Sequence, residues 1–132
     1  MKEYISSDKE FMDSTNSENK KYHLLIADKD KASIENTIKA FKSEIYKFTE
    51  ITKSKDLLAA IKKEKPDLVI LEVNLNETDG IDVCTDLRAD NAFAKLPIVF
   101  ISNNADDFTQ IAAFDAGADE FIPKSSRSKL IA

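Results

Sequence analysis

"PDLVILEVNLNETDG", residues 66–80, carries the reading that decides the fold. Leu68, Val69, Ile70 and Leu71 run without a polar interruption and stop at Glu72. A run that short and that uniformly apolar reads as a strand buried on both faces. Asp79-Gly80 forms the turn that follows, and Ile81, Cys84 and Leu87 then recur at helical spacing. A buried strand thus delivers a carboxylate to its own end, immediately before a loop and a helix.

The same unit repeats outward in both directions. Upstream, "YHLLIAD" is an apolar run ending in acid. "KASIENTIKAFKSE" then sets Ile34, Ile38 and Phe41 at helical spacing, with Asp30 as the cap. "YKFTEIT" reads as a strand, and "SKDLLAAIKKEK" as a helix capped by Ser54 and stopped before Pro66. Downstream come the strand "LPIVFISN", the helix "DDFTQIAAFDAG" closed by Gly117, and the short strand "DEFIPK". "SRSKLIA" starts a last helix that the chain end cuts short. Residues 1–21 are polar and without a sustained period, and read as a flexible tail ahead of one domain over 22–132.

Alternating strands and helices with apolar central strands specify a parallel sheet covered on both faces. Right-handed crossovers place all strand C-termini along one edge, where open sheets of this kind bind ligands. The polar residues fall there. Asp28 and Asp30 follow the first strand, Glu72 the third, Ser102 the fourth and Lys124 the fifth. Acids, a hydroxyl and an ammonium converging on one edge suit a phosphoryl group, although polar residues also cap strand ends for purely structural reasons.

Composition narrows the function. The net charge of −5, with Lys and Glu interspersed, argues against a nucleic-acid or anionic-membrane surface. The single cysteine, Cys84, excludes an internal disulfide, lies on an apolar helix face and fits a reducing compartment. No stretch is long and apolar enough to span a membrane, and the first residues lack a signal-peptide core. Together these point to a cytoplasmic protein.

"LLIADKD", "KPDLVILEVNLNETDGIDVC", "LPIVFIS" and "AGADEFIPK" together resemble the receiver domain of two-component response regulators, over residues 22–132. The resemblance implies a five-stranded parallel sheet in order 2-1-3-4-5 with helices on both faces. It implies a site that takes a phosphoryl group from a histidine kinase onto an acid at the end of the third strand, here Glu72. In the family that acid is an aspartate. An acidic pair after the first strand normally holds magnesium through its second member; here the pair reads Asp28-Lys29, with Asp30 beyond it. Ser102 matches the usual hydroxyl, Phe121 the aromatic switch residue and Lys124 the site lysine. The proline that normally follows the lysine is Ser125. A cis bond there costs about 3–4 kcal/mol without proline, which leaves trans, or cis held by its surroundings.

The two departures are complementary in sign. An acid is lost at the metal position and a cation gained there, so the expectation is that the Lys29 ammonium fills the place of the metal, with Lys124 joining the same network. A glutamate moves the acceptor by about a bond length, and such misplacement costs on the order of 100-fold in rate. The reading is therefore a pseudo-receiver working by protein contact, neither an enzyme nor a holder of a cofactor. Magnesium enters only if the family site is partly retained. The alternative within the family is a working phosphoacceptor that uses Glu72 with magnesium. An alternative of another class, a flavodoxin-like electron carrier or small phosphatase, lacks a glycine-rich phosphate loop or nucleophilic cysteine motif. The implied partners are a sensor histidine kinase or a downstream output protein, with a homodimer through the fourth-to-fifth-helix face as a further option. Helical spacing assigns Ile111 and Phe114 to the sheet and Phe108 and Ala112 to a contact face beside Phe121.

Overall fold

The computed structural model describes residues 21–41 and 44–126. The expected tail (Lys21 aside) and the expected last helix (Ser126 aside) lie outside these residues. Five strands are present: β1 (Tyr22–Ala27), β2 (Tyr46–Ile51), β3 (Leu68–Leu71), β4 (Ile98–Ser102) and β5 (Glu120–Pro123). Between them run α1 (Lys31–Ala40), α2 (Leu57–Glu64), α3 (Gly80–Ala89) and α4 (Asp107–Asp115). All neighbouring strands pair in parallel, in the order β2-β1-β3-β4-β5. This is the sheet, with helices around it, that the sequence predicts.

Side-chain alternation along β1 divides the core. Leu24 and Ile26 point to the α1 face and pack with Ile34, Phe41, Ile70 and Ile101. Leu25 and Ala27 point the other way, into a larger cluster with Leu57, Ile61, Val83, Cys84, Leu87, Phe100 and Ala113. Burial raises the Cys84 thiol pKa above its ordinary value, in keeping with an inert core role.

Helix ends follow local chemistry. The Asp30 carboxylate caps α1 by accepting from the Ala32 N–H, and Asp79 caps α3 through the Ile81 N–H. Ser54 instead opens a 3₁₀ turn, Ser54–Asp56, and neither that turn nor α2 has a side-chain cap bond. The α2 helix ends with Lys65 in the left-handed region, φ 48°, directly before Pro66. At the end of α4, Gly117 (φ 109°) donates to the Phe114 carbonyl and Ala118 to that of Ala113, the paired bonds of a Schellman motif.

One expected placement needs correction. The α4 helix buries Ala113 rather than Ile111 and Phe114, which are exposed together with Phe108, while Ala112 is half-buried. Ala113 is fully buried in the larger core cluster, whereas the bulkier residues of the helix are turned outward. His23 is buried at the start of β1, its Nε2 2.6 Å from the Thr49 hydroxyl on β2.

Candidate functional site

Parallel register brings the site together. The last β1–β3 pair is Ala27 with Leu71, and the Glu72 N–H donates to the Ala27 carbonyl at 2.9 Å. The next residues along, Asp28 and Glu72, therefore emerge side by side at the carboxyl edge. Across the sheet, Ser102 pairs with Pro123, so Lys124 leaves β5 at the same edge. The Lys124 Nζ lies 2.8 Å from the Glu72 Oε1 and 2.9 Å from the Asp28 Oδ2. All three side chains are largely withdrawn from water, at 11%, 6% and 7% exposure respectively.

The remaining carboxylate oxygens are also engaged. Asp28 Oδ1 accepts from the Asp30 N–H at 3.0 Å. Glu72 Oε2 accepts from the N–H groups of Val73 (2.6 Å) and Asn74 (3.3 Å). The glutamate side chain is long enough to curl back onto its own loop while its other oxygen holds the ammonium. Burial pulls the Lys124 pKa down, but hydrogen bonds to Glu72 and Asp28, together with their charges, outweigh it and hold the pKa above the ordinary lysine value. The lysine is a cation at neutral pH.

A family model for the response regulator receiver domain matches residues 24–132. The chain belongs to this family. Its fold is that of a receiver domain of two-component signalling. The DNA-binding response regulator MtrA of Mycobacterium tuberculosis is 31% identical over 106 residues, covering 80% of this chain and 45% of MtrA. The KDP operon transcriptional regulatory protein KdpE of Escherichia coli is 39% identical over 77 residues, 58% of this chain and 32% of KdpE. This chain thus spans less than half the length of these relatives. Among solved structures, a response regulator from Chloroflexus aurantiacus superposes with a TM-score of 0.79 at 28% identity, covering 85% of this chain and 93% of the other.

Against the receiver pattern, the predicted site residues divide. Asp28, Glu72 and Lys124 meet in one cluster. Lys29 does not join them: it is exposed and makes no ion pair among the described residues. The ammonium that bridges the two acids belongs to Lys124, so the expectation for Lys29 is corrected. Asp28 and Lys29 both lie beyond the end of β1, Lys29 in a bend that leads to the α1 cap. Asp28 is buried in the pocket, whereas Lys29 is turned to solvent. Asp30 is likewise exposed and spends its carboxylate on capping α1.

Ser102 is buried, and its hydroxyl accepts from the Asn104 N–H at 3.1 Å, capping the turn after β4. Phe121 is buried rather than part of an exposed contact face, stacked on Phe100 with ring centroids 6.2 Å apart. The Lys124–Ser125 bond is trans.

The edge differs from the family's divalent-cation donor set at the second acid, which is Lys29 here. Both oxygens of Asp28 and of Glu72 already have partners, and Lys29 stands where the family has its second acid. Among the described residues no three His, Cys, Asp or Glu side chains gather as metal ligands.

Sequence reasoning missed one participant, Gly80. Its N–H donates to the Val73 carbonyl at 2.6 Å, and a Cβ at this position would run into the Glu72 carbonyl oxygen. The signal was available, since only two glycines occur in the chain and one stands eight residues after the site acid.

Proposed function

We propose that this receiver domain is a pseudo-receiver. Its site conformation is set by an internal ion-pair network, and it signals by protein contact rather than by accepting phosphate. The observation that supports this most is the Lys124 ammonium bridging Glu72 and Asp28, with the second Glu72 oxygen turned into its own loop. An acceptor carboxylate needs an oxygen free to attack phosphorus and a cation to neutralise the incoming oxygens. Here attack would first have to break charged hydrogen bonds in a largely dry pocket. On this reading the domain is not an enzyme, uses no metal or other cofactor, and works in the cytoplasm. Its partners are proteins, a sensor kinase or a downstream output protein, rather than nucleic acid or membrane.

The test is incubation with a small acyl-phosphate donor and magnesium, read by intact mass. The wild type is expected to gain no phosphoryl group. Lys29→Asp combined with Glu72→Asp rebuilds the family's acid pair and acceptor, and is expected to gain one. A stoichiometric adduct on Glu72 of the wild type contradicts the proposal.

A further inference from the structure

The edge of the sheet opposite the acid site carries an apolar cleft of about 580 Å³. It opens between Lys65–Pro66, where α2 passes into β3, and residues 91–96, in the connection from α3 to β4. Both segments lead into strands, so the cleft lies at the amino edge, away from Asp28, Glu72 and Lys124. Pro66, Phe93, Ala94 and Leu96 supply apolar walls, and Lys65 and Lys95 supply the charge.

The walls are fixed by bonds of their own. Pro66 is buried, and Lys65 before it is held in the left-handed region at φ 48°. On the other side, the Asp90 carboxylate caps the 3₁₀ turn Asn91–Phe93 through the Ala92 N–H. The Arg88 guanidinium donates to the carbonyls of Phe93 and Leu96 at 2.9 and 2.7 Å. Phe93 and Leu96 pack against the larger core cluster and remain half-buried. A preformed cleft of this volume, with apolar walls and a few placed polar groups, is of the size that holds a small molecule.

Charge indicates which kind. The chain has a net charge of −5, yet no Asp or Glu lines this cleft and two lysines do. Neither lysine makes an ion pair among the described residues. Asp67 and Asp90, which flank the two segments, accept from the N–H groups of His23 and Ala92, and Glu64 is not part of the lining. Ammonium groups beside low-dielectric walls focus a positive potential there. A small hydrated anion such as phosphate leaves the apolar walls unused, and a neutral apolar compound leaves the lysines unused.

We propose that this cleft binds a small organic carboxylate with an apolar body, the body seated on Pro66, Phe93 and Leu96 and the carboxylate paired with Lys65 and Lys95. The inference does not depend on the state of Glu72, so the mass measurement and the binding measurement fail separately.

The probe is naphthylacetate, titrated into the isotope-labelled full chain and followed by amide NMR shifts, with the neutral naphthylethanol as control. Saturable shifts are expected at Lys65 and residues 91–96, with a dissociation constant of about 1 mM or tighter. The alcohol should bind about fivefold or more weakly, the worth of two partly exposed ion pairs. Lys65→Asn combined with Lys95→Gln should bring the acid to the affinity of the alcohol with an unchanged melting temperature, asparagine being tolerant of the left-handed backbone. Ala94→Trp, at an exposed position, should block both probes by filling the cleft. Equal binding of acid and alcohol, absence of saturable shifts, shifts centred on Lys124, or indifference of the acid to the lysine substitutions overturns the proposal. So does sedimentation showing a dimer that Ala94→Trp abolishes, since the occupant is then a second copy. Binding that emerges only after removal of residues 1–20 names the chain's own leading segment as occupant, and also overturns it.

Discussion

Lys124 carries the site's charge balance. Two carboxylates at adjacent strand ends repel unless a cation lies between them, and this ammonium reaches both. Removing one partner of a buried network strands the others, so Lys124→Ala should cost about 3 kcal/mol in denaturant unfolding. Lys29→Ala should change stability by less than about 0.5 kcal/mol, because its side chain is exposed and unpaired among the described residues. Equal losses for the two variants would mean that the cation's place is shared. The pH dependence has a definite sign. The folded Lys124 pKa is raised, so its contribution is complete below the ordinary lysine pKa of about 10.4 and fades as pH rises through the higher folded value. Stability measured from neutral pH to about pH 9 should therefore show no loss attributable to this lysine. The alkaline loss of the wild type should be diminished in Lys124→Ala.

Two connections hold the elements around that cluster. The turn from β3 into α3 brings Gly80 against the Glu72 backbone. Gly80→Ala should therefore displace the loop that holds the Glu72 carboxylate, at a cost on the order of 1–3 kcal/mol. At the opposite end of α3, Arg88 donates to the carbonyls of Phe93, Leu96 and Gly117 and pairs with Asp119 at 3.0 Å. It ties the α3–β4 and α4–β5 connections to the end of α3, and Arg88→Ala should lower stability by about 2–3 kcal/mol in thermal or urea unfolding. These elements also show what the sequence could and could not reveal. Strands β1, β3 and β4 were legible because uninterrupted apolar runs have few other readings, and the Asp30 and Asp79 turns because their chemistry is local. The orientation of α4 was not. Spacing fixes which residues share a face, but the inward choice of Ala113 over Ile111 and Phe114 depends on how the helix packs against the rest of the core. Which lysine fills the pocket was hidden for a similar reason. Lys29 is adjacent to Asp28 in sequence, whereas Lys124 reaches it only through the order of the sheet.

Across the whole molecule, a parallel sheet sends strand ends distant in sequence to one edge, and this chain has kept that geometry while changing the residues placed there. The fold does not require phosphorylation to exist. What distinguishes a locked module from a working phosphoacceptor is whether the edge still takes a divalent cation. The most direct measurement is the melting temperature of the full chain with and without millimolar magnesium, beside the Lys29→Asp, Glu72→Asp double variant. Magnesium at tenfold its dissociation constant adds about 1.4 kcal/mol, which in a domain of this size raises the melting temperature by roughly 5 °C or more. The ion-pair account predicts a wild-type change below about 1 °C and that larger rise only in the double variant. A rise in the wild type as large as in the variant would show that the cation enters despite Lys29 and Glu72, and would contradict the account.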